Sequence, residues 1–168
     1  MYKRQHFKSL ELKPVVAFEL EFYLLDKNRD ESGKPVPAGG ANKTHVYGIP
    51  DLDLFGRLFD DINKNCEMQN IPATTASSEF AAGQYEINLK HTEDLLKAAD
   101  DAAMLRRIIK ETSERHGYEA TFMAKPFLEE TGNGMHLHLS VYDDNEKNIF
   151  ATSSRYGNKK LHHAIAGF

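Results

Sequence analysis

The segment "PVVAFELEFYLLD", Pro14 to Asp26, most constrains how this chain can fold. It is dense in β-branched and aromatic residues, which suit a pleated strand. At period two, Phe18, Leu20 and Phe22 share one face and Glu19 and Glu21 share the other. The apolar face needs a packing layer beneath it. The acidic face needs water or a counter-charge. The strand is therefore expected to lie between a core and an environment that tolerates neighbouring carboxylates.

The remaining elements follow from period and punctuation. "KNRDESGKPVPAGGANKTHVYGIP" reads as a long loop from its Pro, Gly, Asn and Asp density. Asp51 then stands where a residue could cap a helix. In that helix Leu52, Phe55, Phe59, Ile62 and Cys66 recur at helical spacing, and Pro72 closes it. "IPATTASSEFAAGQYEINLKH" predicts two extended segments meeting near Gly83. A second helix is expected from Thr92, with Glu93 and Asp94 in its first turn. Leu95, Ala99, Ala102, Leu105 and Ile109 line its apolar side, and Arg115, His116 and Gly117 end it. "YEATFMAKPF" predicts a strand stopped by Pro126. "MHLHLSVYD" predicts another, with Met135, Leu137, Leu139 and Val141 on one face and His136, His138 and Ser140 on the other. "KKLHHAIAGF" opens a helix. Strands joined by long helices indicate a mixed α/β or α+β domain.

The totals narrow the function classes. A length of 168 residues suggests one domain or a piece of a larger one. With 21 basic and 25 acidic residues, the net charge of −4 gives no footprint for nucleic acid or an anionic membrane. The single cysteine, Cys66, permits no internal disulfide and suits a reducing compartment. It sits on an apolar stripe and reads as packed rather than reactive. No apolar run approaches the ~20 residues that span a bilayer. "MYKRQHFKSLELK" lacks the apolar region of a secretory signal, so the expected setting is cytoplasmic.

Three places share an excess of ligand-type residues. Glu19 and Glu21 project from one strand face. Glu79 and Glu86 bracket "FAAGQY", where the chain bends. His136 and His138 project from a third strand. Each alone reads as a wet strand face, a surface acid, a solvated histidine or a turn. If the strands are neighbours in one sheet, four carboxylates and an imidazole converge. Such carboxylates cannot all stay ionised without a counter-charge, which a divalent cation supplies. A carboxylate-rich set without thiolate suits Mg2+ or Mn2+, whereas zinc more often recruits several His or Cys. Mg2+ keeps open positions for water and phosphate oxygens, which points towards phosphoryl transfer.

The blocks "FELEFY", "EFAAGQYEINL", "ATFMAKPF" and "GNGMHLHLS", in that order, resemble the catalytic domain of the glutamine synthetase family from about Pro14 to the last residue. The resemblance implies an α+β fold: a mainly antiparallel curved sheet, part of the bifunnel barrel, with packed helices. Residues 1–13 would be a non-core lead and 14–168 a partial catalytic domain. The implied chemistry is ATP-dependent phosphorylation of the glutamate γ-carboxylate, followed by displacement of phosphate by ammonia or another amine. By motif position, Glu21, Glu79 and Glu86 look like ligands of the ion nearer glutamate. Glu19 and His136 look like ligands of the ion bridging the ATP phosphates. His138 and Ser140 look like nucleotide contacts, and Gly132 with Asn133 like the backbone that holds glutamate. Full-length members form stacked-ring homo-oligomers.

The resemblance also implies that the family's N-terminal domain and its downstream arginines and last carboxylate ligand lie outside this sequence. The isolated chain is accordingly expected to be inactive or nearly so. "ATFMAKPF" and "YEINL" look more like the γ-glutamylpolyamine (putrescine) synthetase branch and related type-III-like enzymes than the housekeeping enzyme. Glutamine synthetase proper and that branch stand level on the residues present. Two other classes compete. An amidohydrolase-like metal hydrolase also uses His-x-His on a strand, but would carry the pair early. A degenerate synthetase could serve as a binding or regulatory piece.

Overall fold

A computed structural model describes residues 2–39 and 48–167. In chain order the elements are α1 (Tyr2–Ser9), β1 (Lys13–Arg29), β2 (Pro35–Pro37), α2 (Ile49–Leu54), α3 (Gly56–Met68), β3 (Ala73–Ser78), β4 (Gln84–Leu89), α4 (Leu95–Arg115), β5 (Tyr118–Thr121), β6 (Met135–Tyr142) and α5 (Lys159–Ile165). The six described strands form one antiparallel sheet organised around β1.

The register explains how one strand serves four partners. Glu19 lies opposite Asn88 of β4 and also opposite His136 of β6, so these two strands flank β1 on opposite edges. Tyr23 lies opposite Gln84 of β4 and Thr121 of β5, which puts β5 on the β6 edge. Leu25 lies opposite Pro37 and Glu119, which puts β2 on the β4 edge. The strand is 17 residues long, longer than the 14–26 segment read from its sequence. Its extension, and the return of β2, run into the segment expected to be a loop. Asp30 closes that turn by accepting the N–H groups of Ser32 (2.8 Å) and Lys34 (2.9 Å) on Oδ1. The middle of the expected loop, residues 40–47, lies outside the described residues.

The even-numbered face of β1 is the core. Leu20, Phe22 and Leu24 are buried with Tyr85 and Ile87 of β4, Leu58, Ile62 and Cys66 of α3, and Leu105, Ile108 and Ile109 of α4. Burial pushes the Cys66 thiol up to about 11, so it is an inert packed group as expected. On the odd face, Tyr23, Leu25 and Ala81 form a smaller cluster against Phe127. Beyond that cluster the same face opens at Glu21 and Glu19.

Several boundaries differ from the sequence reading. The helix expected from Asp51 is two helices, and Gly48, not Asp51, is the first N-cap residue. Phe55 breaks them apart, with φ −109° and ψ 19°. It is held out of helix geometry because its ring is buried edge-on against Tyr85 (5.9 Å) and Tyr118 (5.3 Å). Pro72 does not close α3. Asn70, at φ 56°, turns the chain first, and the Ile71 N–H bonds the Cys66 carbonyl. Thr92 does not begin α4. It is extended, exchanging two 2.9 Å backbone bonds with Val16. Asp94 is the cap, accepting the N–H groups of Leu96 and Lys97 on its side chain. The buried stripe of α4 carries Ala98 where the spacing had suggested Ala99, which is exposed. β5 ends at Thr121, well before Pro126, because the Thr121 hydroxyl takes the Met123 N–H and the chain turns away. His116 and Gly117 end α4, and the strand over 135–142 and the helix near Lys159 form as expected.

Candidate metal centre

Two cross-strand rows build the centre of the site, because residues directly opposite in antiparallel strands share a face. The first row is Asn88, Glu19 and His136, from β4, β1 and β6. The second is Ser77, Glu86 and Glu21, from β3, β4 and β1. Ala17 lies opposite His138 and Val15 opposite Ser140 in the rows beyond. Glu79 stands just past β3, its N–H bonded to the Gln84 carbonyl at 2.8 Å across the turn. The sheet thus brings Glu19, Glu21, Glu86 and His136 together, with Glu79 close enough to feel the charges of Glu86 and Glu21.

The distances define the centre. His136 Nδ1 lies 3.2 Å from Glu19 Oε2, 3.8 Å from Glu86 Oε2 and 3.9 Å from Glu21 Oε1. His138 Nε2 lies 2.9 Å from Glu19 Oε1, so one carboxylate is held between two imidazoles. One ligand atom each from Glu19, Glu86 and His136 falls within 4.8 Å of the others, the one group of three such residues this close among the described residues. This group takes Glu86 together with Glu19 and His136, across the division into two ion sites expected from motif position. Oxygen donors with one imidazole fit a hard divalent cation.

Charge crowding shows in the proton affinities. Burial pushes the carboxyls of Glu79 and Glu86 above the ordinary glutamate value. Neighbouring carboxylates push further: Glu86 and Glu21 on Glu79, and Glu19 and Glu21 on Glu86. The Asn88 amide, donating to Glu86 Oε1 at 3.0 Å, opposes this only in part. Burial acts the same way on Glu19. There the hydrogen bonds and charge of His138 and His136 outweigh it, and the carboxyl lies below the ordinary value.

The Glu86 shift makes a pH-dependent prediction. Its proton is held more tightly in the folded chain, so ionisation removes stability as pH rises from the ordinary value of 4.5 through the higher folded value. In a metal chelator, Glu86→Gln should raise the melting temperature at neutral pH. The gain should fade as pH drops below the ordinary glutamate value. Thermal melts at the two pH values check this; an unchanged or lower melting temperature at neutral pH would contradict it.

The "GNG" loop is drawn onto the same centre. Glu21 Oε2 accepts the Gly134 N–H at 2.8 Å, and the Glu21 N–H bonds the Gly134 carbonyl at 3.1 Å. A Cβ at Gly132 would stand 2.6 Å from the Ala124 carbonyl oxygen, so that position needs glycine. A Cβ at Gly134 would stand 2.7 Å from His136 Nε2 and would push that imidazole aside. Asn133 anchors the loop, its N–H to the Ala124 carbonyl (2.8 Å) and its side chain to the Met123 carbonyl (2.9 Å). Ser140 is half-buried on the His136 and His138 side of β6.

The description "Glutamine synthetase, catalytic domain" matches residues 2–168. The chain belongs to this family. It is 40% identical over 169 residues to gamma-glutamylputrescine synthetase PuuA of Escherichia coli, covering 97% of this chain and 36% of that protein. It is 35% identical over 157 residues to glutamate–isopropylamine ligase of a Pseudomonas species, covering 89% of this chain and 33% of that one. A Plasmodium falciparum glutamine synthetase structure superimposes with a TM-score of 0.79 at 25% identity, over 97% of this chain and 37% of its own. The curved antiparallel sheet with packed helices is thus the fold of the glutamine synthetase catalytic domain. The chain spans about a third of the length of the curated relatives it matches.

Within this glutamine synthetase-family sheet, sequence reasoning missed several residues of the site. Gln84 and Asn88 flank Glu86 at period two on the acidic face. Tyr23 continues the Glu19, Glu21 series and donates its hydroxyl to the Thr131 carbonyl at 2.6 Å. Alternation alone places all three on the acidic face, though it does not show what they bond. His91, whose ring lies 6.0 Å from that of His138, had no such signal, because only the register of β1 with β6 and Thr92 brings it there.

Proposed function

We propose that this chain carries the ion-binding wall of an ATP-dependent ligase. That ligase joins the γ-carboxylate of glutamate to a small amine. The observation that carries the reading is the convergence of Glu19, Glu86 and His136 on adjacent strands of a family member's sheet. Mg2+ or Mn2+ would be held among Glu19, Glu21, Glu79, Glu86 and His136, and bound ions would neutralise phosphate charge during transfer. His138 and Ser140 would contact the nucleotide, and Gly132 and Asn133 would hold glutamate. No helix among the described residues is long and apolar enough to cross a membrane. The single cysteine, Cys66, favours a reducing setting such as the cytoplasm.

An alkyl amine or polyamine acceptor is favoured because both curated relatives named above act on such amines by name. Ammonia is the second reading, supported by the likeness to the Plasmodium glutamine synthetase. Ring-forming copies of the chain would be its partners.

Titrating the 168-residue chain with Mn2+, with and without ATP, tests the reading. Saturable Mn2+ binding that tightens with ATP is expected. Absence of binding at millimolar Mn2+ would overturn it. Phosphate release with ATP, glutamate and either putrescine or ammonia should stay at background for the chain alone. Turnover with ammonia in preference to putrescine would overturn both the choice of acceptor and the expectation of inactivity.

A further inference from the structure

Gln84 lies between the acidic rows and the Thr131–Gly134 loop and is 2% exposed. Its amide is engaged at both ends. Oε1 accepts the Thr131 hydroxyl at 2.6 Å and the Ala81 N–H at 3.3 Å. Nε2 donates towards the Gly132 carbonyl at 3.0 Å, Asn133 Oδ1 at 3.2 Å and Glu21 Oε2 at 3.3 Å. A backbone N–H can only donate, so Ala81 fixes which end of the amide is oxygen. The NH2 group therefore faces Glu21 and the loop.

Glu21 is left with one oxygen held and one presented. Oε2 receives both the Gly134 N–H and the Gln84 amide, while Oε1 faces His136. We propose that Gln84 is a positioning residue that locks the Glu21 carboxylate and the "GNG" loop to each other. Ion affinity at Glu21 and the conformation of the loop then depend on the same amide. The inference rests on the reading of Glu21 as an ion ligand. Residue chemistry explains the choice of glutamine. A lysine cannot accept from Ala81 and Thr131, and a glutamate cannot donate to Glu21 and would add a fifth carboxylate. A buried apolar replacement leaves the Thr131 hydroxyl and the Gly132 carbonyl unpaired.

The test uses Gln84→Met and the milder Thr131→Val, which removes the hydroxyl that fixes the amide. Two readouts are followed in the 168-residue chain: Mn2+ affinity by electron paramagnetic resonance, and amide hydrogen exchange by NMR. Gln84→Met should weaken Mn2+ about tenfold. Glu21→Gln should weaken it too, and the double variant should bind no worse than Glu21→Gln alone. Exchange at the Gly134 amide should rise about tenfold while α4 amides keep their rates. Thr131→Val should shift both readouts in the same direction by less, and it alone decides the matter if Gln84→Met does not fold. A wholly structural role would instead speed α4 and Gly134 alike, leave Mn2+ affinity per folded molecule unchanged, or give additive losses with Glu21→Gln. Any of these overturns the proposal. If the wild-type chain binds no Mn2+, the ion reading fails, and Gly134 exchange still decides the role of Gln84.

Discussion

Replacing Glu19 with alanine is expected to weaken Mn2+ binding about a hundredfold, which is about 2.7 kcal/mol. No other side chain in the centre is so placed. Its two oxygens lie 2.9 Å from His138 and 3.2 Å from His136 respectively, and its backbone sits between β4 and β6. Removing it deletes one donor of the Glu19, Glu86 and His136 group and the acceptor that orients both imidazoles. The remaining carboxylates would still attract a cation, but without the geometry that selects one. Isothermal titration of Mn2+ into wild type and variant measures the loss. Glu114→Ala supplies a control, because it removes an exposed partner of Lys27 far from the centre and should change affinity little. A loss of less than about threefold for Glu19→Ala would mean that the ion binds elsewhere.

On the opposite face of the same strand, Phe22→Ala should destabilise the fold by about 3–5 kcal/mol. The ring is 0% exposed and lies 5.5 Å from Phe122 and 6.1 Å from Tyr85. Tyr85 is also its register partner on β4 and is itself packed edge-on against Phe55 and Phe59. Truncation leaves a cavity that these rings cannot collapse into, since each is fixed by another neighbour. A loss of this size is a large part of the roughly 5–15 kcal/mol that holds a typical domain. Urea unfolding followed by circular dichroism checks it. A change below about 1 kcal/mol would show that the aromatic layer is loosely packed. Phe22 neighbours Glu21 in sequence, so partial loosening here should also blur the candidate ion site at its back.

Much of this architecture was legible in the residues. Alternation in Phe18 to Phe22 and in Met135 to Val141 gave the strands and their faces, because period two survives whatever a strand pairs with. Register was not legible. Nothing local says that His136 meets Glu19 or that Glu86 meets Glu21. Those pairings depend on which rows of the sheet bury apolar side chains together. The break at Phe55 was hidden for a related reason: a residue on a helical stripe left helix geometry to reach Tyr85 and Tyr118. Helix starts failed where two capping residues competed. Thr92 was taken by its pairing with Val16, which left Asp94 to cap. Gln84 was overlooked because its importance lies in five hydrogen-bond partners, most of them supplied by a loop almost fifty residues away.

The central position of β1 also sets an order of assembly. It is synthesised before every described strand that pairs with it, and its Lys13–Leu20 edge finds its partner in β6, more than a hundred residues later. During synthesis at about 5–20 residues per second, that edge waits for several seconds with its backbone groups unpaired. An open, partly apolar strand edge is a template for the wrong neighbour. That edge carries Glu19, and Glu21 follows just beyond it. Unpaired with histidine, Glu19 and Glu21 lie adjacent to the open edge and repel an identical edge from another nascent copy. The crowding of negative charge that makes these residues candidate cation ligands in the finished sheet therefore also disfavours edge-to-edge pairing of like copies in the unfinished one.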